Sequence, residues 1–360
     1  MTALSAAERP AAAPDGTGAA EILRRCRESV RPALTAAIGR LHPWPGEMAS
    51  YSLGWCEVGG APSVDGGGKG LREALAVLCA RAAGARERTG VASAVAVELI
   101  HTFTLLHDDI MDGDHTRRRR PAVWKAYGTG PAVLAGDALF ALAVETLADA
   151  PGPHGPAAVR CLSAALNDLV RGQADDLLFA TRPWTGPGAV ALDEYRAMAE
   201  HKTGALLGCA AALGAVLGGA PREVSDALGR AGRHLGIAFQ AVDDLLGIWG
   251  DPAVTGKPVH SDLRSGKKTF PVLAALGAAP SGPRGPAAGR LAALLDAGPS
   301  EDCAVRRAAS LIEEAGGRSA TLEEADRHLA RAHSCLDTLP SGPAVSELRT
   351  LLASVARRVR

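Results

Sequence analysis

The 360-residue sequence predicts an all-α protein, one large helical bundle, and three observations carry that prediction. Hydrophobic residues make up 47% of the chain, yet only 5 Phe, 5 Trp and 3 Tyr are present, so the core has to be built from Ala, Leu and Val. Small and straight side chains favour helices, and strand-forming runs rich in Ile, Thr and Tyr are missing. Apolar residues recur at helical spacing, as at Leu71, Leu75 and Leu78 or at Leu322, Leu329 and Leu336, without strict alternation over strand lengths.

Taken in order, the first eighteen residues, MTALSAAERPAAAPDGTG, have neither a basic start nor an apolar stretch. They read as the start of a flexible tail over 1–20, a possible tether to a partner, rather than as a secretory signal. Residues 21–360 are expected to form the helical domain, since no long low-complexity linker divides them. Short Pro/Gly clusters at 151–156, 182–188, 279–289 and 339–343 mark loops between helices. Val91 to His107 contains no breaker and predicts one continuous helix. Gly204 to Ala220 is the longest uncharged stretch, 17 residues rich in Gly and Ala, and is expected to be a buried central helix rather than a transmembrane segment. Thr321 with Glu324 reads as a capping box opening a late helix.

Charge narrows the function. The 39 Lys+Arg balance 39 Asp+Glu, which disfavours a disordered chain and a basic nucleic-acid-binding protein. Seven cysteines, at 26, 56, 79, 161, 209, 303 and 335, form no CxxC or paired pattern, so a reduced, cytoplasmic setting is expected.

Two acidic segments stand out. The first contains His101, Phe103, His107, Asp108, Asp109, Asp112 and the run Arg117-Arg118-Arg119-Arg120. On a helix Asp108 and Asp112 lie one turn apart on one face, with His101 on the same line. A bridging cation relieves the repulsion between two such carboxylates, and all-oxygen ligation favours magnesium over zinc. The arginines supply forked donors suited to phosphate oxygens. The second segment runs through Gln240, Asp243, Asp244, Gly247 and Asp251, then Lys257, Asp262, Lys267 and Lys268. Asp243, nearer the helix interior, is the stronger candidate; a surface position is the alternative for Asp244, and a solvated one for Lys268. Upstream, Gly66-Gly67-Gly68-Lys69-Gly70-Leu71-Arg72 forms a third basic element, in which glycines allow close approach to an anion. An isolated Asp pair is usually a cap or a solvated face, but two such segments with basic companions favour chemistry.

These residues resemble the trans-isoprenyl diphosphate synthases from about residue 60 to 275, through GGGKGLR, HDDIMD with its arginines, GDALF, HKTGAL and FQAVDDLLGIWGD with its GKPVHSDLRSGKKTFP continuation. The resemblance implies an isoprenoid-synthase-type bundle around a central cavity, three magnesium ions and a homodimer. It implies that Asp108 and Asp112, with Asp109 beside them, and Asp243 hold metal on an allylic diphosphate. Arg117, Lys202 and Lys257 match its diphosphate contacts, and Thr203 and Gln240 match polar groups near the developing carbocation. Lys69, Arg72, His101 and Arg118 match the site of isopentenyl diphosphate, and Lys267 matches a lysine near the closing loop. Two positions depart from the pattern: Gly247, where a third aspartate is common, and Glu73, where many relatives have proline.

In this family bulky residues below the first motif set product length. Phe103, five residues before Asp108, lies about 7 Å down the helix, and Thr104 leaves the next position small, which resembles the geranylgeranyl type. The alternatives are an ordinary core role for Phe103, a class I terpene cyclase, and a noncatalytic synthase-like subunit or cargo protein. A cyclase would have no second diphosphate for Lys69, Arg72, His101 and Arg118 to bind, and a noncatalytic chain would be expected to lose metal ligands.

Overall fold

The computed structural model describes residues 18–63, 68, 70–252, 258–279, 281–298 and 301–357. Residues 1–17 of the expected tail, Lys69 and Lys257 lie outside the described residues. The described residues are all-α apart from one small hairpin and an isolated bridge between Cys56 and Pro62: α1 (Ala19–Ile38), α2 (Pro43–Ser52), α3 (Leu71–Ala82), α4 (Glu87–Met111), α5 (Val123–Tyr127), α6 (Thr129–Ala148), α7 (Gly155–Thr181) and α8 (Leu192–Ala199) lead into a π-helical turn at Glu200–Gly204. Then follow α9 (Ala205–Leu217), α10 (Arg222–Trp249), α11 (Ser261–Arg264), α12 (Phe270–Leu276), α13 (Gly285–Asp296), α14 (Asp302–Glu314), α15 (Gly317–Asp337) and α16 (Pro343–Ala356). The hairpin pairs β1 (Thr116–Arg117) with β2 (Arg120–Pro121), antiparallel.

The central helix is α9, packed against α3, α4, α7 and α10. Nearly every residue in it is buried, which explains its lack of charge: a helix enclosed on all sides has no polar face. Helices α4 and α10, which bring the two acidic segments into the centre, both pack on it. The core they share is dominated by Ala, Leu and Val, as the composition requires, with Leu78, Leu99, Ile100, Leu207 and Leu235 fully buried. A second apolar cluster, including Ile248, Leu263, Val272, Leu291 and Ile312, fixes the end of α10 against α11–α14. A third, with Phe179, Tyr195, Met198 and Phe270, lies beside Asp244.

Several sequence expectations need correction. Helix α1 opens at Ala19, so the last two residues of the expected tail are helical. The 151–156 and 279–289 clusters are loops only in their first parts, because α7 and α13 begin at Gly155 and Gly285 with proline in the first turn. Proline lacks the N–H that goes unused there, so it begins a helix as readily as it breaks one. Thr321 and Glu324 do not cap: α15 already opens at Gly317, and the Thr321 hydroxyl donates back to the Gly317 carbonyl. Buried Glu324 is instead drawn to Arg196 on α8, to Arg327 and to His328. Arg88–Met111 and Thr129–Ala148 are long and apolar enough to cross a membrane by length and composition, although sequence inspection singled out only 204–220. The first of these packs against α3, α6 and α9 and carries the first acidic segment, while α6 keeps an apolar outer face with Val133, Leu134 and Phe140 exposed.

Candidate active site

Successive residues on an α-helix point about 100° apart, so an Asp-Asp doublet cannot send both carboxylates the same way. Both doublets split. At the end of α4, Asp108 is partly exposed while Asp109 is only 3% exposed and accepts a forked pair from Arg117, Nε at 2.8 Å and Nη2 at 2.5 Å. Near the end of α10, Asp243 is partly exposed, whereas Asp244 is buried. Asp244 is therefore not a surface residue. Its carboxylate receives the Tyr195 hydroxyl, the Phe270 N–H at 2.9 Å and the Gln240 amide at 2.9 Å. Burial raises its pKa to about 7 against those three donors. Lys268 is likewise buried, its ammonium over the Trp184 ring at 4.0 Å, and burial lowers its pKa.

Asp108 and Asp112 share a face, as spacing predicted. Burial first, and the Asp112 charge as well, raise Asp108 to about 6, while Lys202 and Arg117 pull the other way. Asp112 forms the C-terminal cap of α4 and meets Lys267 Nζ at 3.0 Å, which joins the segment following the second motif to the first motif. Lys202 stands on the π-helical turn and pairs with Asp176 of α7 at 2.5 Å. That turn is wider than an α-helix and recurs at functional positions. It can lie against α7 because residue 172 is glycine: a Cβ there would collide with the Lys202 backbone. Thr203, also on the turn, donates to the Gln240 side-chain oxygen at 2.7 Å, so Thr203, Gln240, Asp244 and Tyr195 form one continuous chain of hydrogen bonds.

A second cationic group lies around Arg72 at the start of α3. Arg72 Nη1 and His101 Nε2 are 3.2 Å apart. Burial, then the charges of Arg72, Arg118 and Arg117, hold His101 well below its usual pKa, so the neutral ring accepts from Arg72. Arg72 is half-buried, and its buried Nε has no hydrogen-bond partner among the described residues. Half-buried Glu98 feels the charges of Arg72, Arg118 and Arg27, but desolvation outweighs them and raises its pKa. Arg118 and Arg119 form the tip of the hairpin with φ of 51° and 64°, left-handed conformations that cost about 1 kcal/mol or more each for a residue with a Cβ. The turn sends Arg117 to Asp109 and Arg118 to the Gly68 backbone and Glu98.

The four arginines are therefore not one phosphate-binding set. Arg120 stacks on Tyr51 at 4.1 Å and donates to the carbonyls of Tyr51 and Cys56. Below Asp108, Phe103 contacts His107 and Phe140 at ring-centroid distances of 4.7 and 5.7 Å, and the Thr104 hydroxyl is turned back to the His101 carbonyl. Sequence reading missed Asp176, Glu98 and Tyr195 as members of the site. Asp176 had a visible signal in the Gln173-Ala174-Asp175-Asp176 doublet; Tyr195 and Glu98 had none, because their importance lies in what packs against them.

The arrangement brings carboxylates able to hold cations together with Lys and Arg side chains able to hold phosphate, and a second group gathers Arg72, His101, Arg118 and Glu98. A helical bundle that presents acidic and basic side chains in this way has the makeup of an enzyme acting on phosphate esters. Residues 60–312 match the polyprenyl synthetase family, and the chain belongs to it. It is 45% identical over 343 residues to (2E,6E)-farnesyl diphosphate synthase of Mycobacterium bovis, covering 94% of this chain and 92% of that protein. It is 41% identical over 333 residues to geranylgeranyl diphosphate synthase of Mycobacterium tuberculosis, covering 92% of each. The crystal structure of polyprenyl synthetase from Streptomyces coelicolor A3(2) superposes with a TM-score of 0.85 at 45% identity, over 93% of this chain and 98% of that one. The protein is a trans-prenyltransferase.

Proposed function

We propose that this enzyme condenses isopentenyl diphosphate with an allylic diphosphate in the presence of magnesium, with geranylgeranyl diphosphate as its main product. The observation that carries the reading is the two-part site: acids and lysines around Asp108, Asp112, Lys202 and Lys267, and a separate Arg72–His101–Arg118 group. Among the described residues no group of three or more His, Cys, Asp or Glu side chains is placed to hold a metal ion by itself. Magnesium suits such a site, since it keeps several waters and takes one or two carboxylates together with substrate phosphates. Asp108, Asp112 and Asp243 would hold three such ions on the allylic diphosphate. When bound, the metal supplies the positive charge that stabilises the departing diphosphate.

The chain's own groups then divide the work. Lys202 and Lys267 exchange their pairing with Asp176 and Asp112 for phosphate oxygens, and Arg117, held by Asp109, presents its remaining donors to the same group. Lys257 would add a further diphosphate contact, and Lys69 would join Arg72, His101 and Arg118 on isopentenyl diphosphate. Thr203 and Gln240, oriented through Asp244, line the path of the allylic cation. Carbon–oxygen cleavage gives that cation, the isopentenyl double bond attacks it, and the released diphosphate takes the proton. The apolar walls exclude water, which would quench the cation.

Phe103, backed by Phe140, forms the floor that sets product length. Exposed Val133, Leu134 and Phe140 on α6, with Val170, Leu177 and Leu178 on α7, supply an apolar face for a homodimer rather than for lipid. Cytoplasmic residence agrees with seven free thiols. The deciding experiment incubates purified protein with magnesium, isopentenyl diphosphate and farnesyl diphosphate. Geranylgeranyl diphosphate is expected, and Phe103→Ala should lengthen it by at least one five-carbon unit. Arrest at farnesyl diphosphate when shorter starters are supplied would reject the length assignment; a cyclic hydrocarbon released without isopentenyl diphosphate would reject condensation.

A further inference from the structure

Between α11 and α12 the chain runs outside any helix through Lys267, Lys268 and Thr269. The two lysines go to different places. Lys267 reaches Asp112 at the end of α4, at 3.0 Å, whereas Lys268 sets its ammonium over the Trp184 ring, 4.0 Å from the centroid. Only 8% of Lys268 is exposed, and among the described residues its ammonium makes no ion pair or hydrogen bond, so the ring face is the group placed to offset its desolvation. Trp184 stands in the loop joining α7 to α8 and packs against the second apolar cluster. Arg182 closes that loop: its Nε and Nη2 donate to the Gly188 and Ala189 carbonyls at 2.9 and 2.7 Å, and its Nη1 meets Glu194 of α8 at 2.8 Å. Helix α7 also carries Asp176, the partner of Lys202, so Trp184 is a platform tied to the helix that holds the other lysine. On either side of Lys268 the backbone is fixed, the Lys267 N–H donating to the Asp262 carbonyl and the Phe270 N–H to the Asp244 carboxylate, both at 2.9 Å.

We infer that Lys268 is a positioning residue for Lys267, its seat on Trp184 holding the segment so that the neighbouring lysine stays directed toward Asp112 and the allylic diphosphate. This rests on the reading of Lys267 as a diphosphate contact. Two adjacent lysines are chemically equivalent, each a flexible four-carbon stem ending in a compact charge, and both could compete for the same anion. Trp184 removes that equivalence by withdrawing one ammonium and leaving the other. A rotation of the segment that carried Lys268 toward the diphosphate would take Lys267 away from Asp112 and uncover the Trp184 ring. Arginine at 268 keeps a cation to stack on the ring while methionine keeps only an apolar stem, so the two substitutions separate charge from packing.

The test measures binding of a nonreactive farnesyl thiodiphosphate by calorimetry at saturating magnesium, with circular dichroism to follow the fold. Lys268→Met should weaken binding about tenfold, within what a desolvated cation–ring contact can supply, and Trp184→Leu should do the same. Combining the two should cost no more than either alone. Lys268→Arg and Trp184→Phe, which keep a cation on a ring, should stay within about twofold of wild type. The sharpest comparison is made in Lys267→Ala: if Lys268 acts through Lys267, adding Lys268→Met there changes binding little, whereas a purely structural role subtracts the same factor again. Additive losses in that background, unchanged affinity in Lys268→Met or Trp184→Leu, equal losses in Lys268→Met and Lys268→Arg, or wild-type affinity in Lys267→Ala each overturn the inference while leaving the condensation reading standing. A wild-type protein that does not bind the thiodiphosphate overturns both.

Discussion

The two acidic motifs look alike in sequence, each an Asp-Asp doublet delivered by an apolar helix, yet the structure gives their inward members different partners. Asp109 meets a guanidinium in a forked ion pair with Arg117. Asp244 meets neutral donors from Tyr195, Gln240 and the Phe270 backbone. A neighbouring cation keeps a buried carboxylate ionised, whereas neutral hydrogen bonds only partly offset desolvation, and Asp244 accordingly rises to about 7. Asp109 therefore holds a cationic side chain in place. Asp244 holds a polar chain that ends at Thr203.

Removing the outward acids is expected to have the largest effect. Asp108→Ala should lower turnover by roughly a thousandfold or more, the scale on which loss of transition-state charge stabilisation is felt, with the helical circular dichroism spectrum preserved. Unaltered turnover would remove Asp108 from the metal assignment.

The inward acids sharpen the contrast. Asp109→Asn breaks a charged pair and loosens Arg117, which should cost about ten- to a hundredfold in kcat/KM. Asp244→Asn keeps a neutral acceptor for Tyr195 and Phe270 and should cost only about fivefold, the equivalent of one ordinary hydrogen bond. Equal losses in steady-state assays would erase the distinction between the two motifs.

The smallest effect is a pH dependence. An unfolded chain ionises Asp244 near 3.8, but the folded chain keeps the proton up to about 7. Its contribution to stability is therefore present below the unfolded value and is lost as pH rises through about 7. Glu73, raised to about 8 by burial and by Glu98, acts in the same direction. The metal-free thermal midpoint should fall by about 3 °C between pH 6.5 and 8, and Asp244→Asn should flatten part of that fall. Identical slopes in the two proteins would show that Asp244 ionises as an ordinary carboxylate.

Much of the site was legible because its chemistry is local. Asp108 and Asp112 share a face by helical arithmetic, Val91 to His107 could only be helical, and the uncharged 204–220 stretch had to be interior. Other readings failed where a partner came from far along the chain. Arg120 looked like its three neighbours until Tyr51 and the Cys56 carbonyl claimed it. Thr321 and Glu324 had the spacing of a cap, but the outcome depended on Arg196, 128 residues before Glu324.

The sequence by itself therefore determined the fold class, the placing of the acids near the ends of two helices, and the company of basic residues they keep, because periodicity and charge act over one or two turns. Tertiary structure decided which acid of each doublet is buried and which of the four arginines turn toward these acids. Those outcomes depend on burial and on side chains tens to hundreds of residues away, where the cost of leaving a charge or a donor unpaired is set by packing that no local pattern encodes.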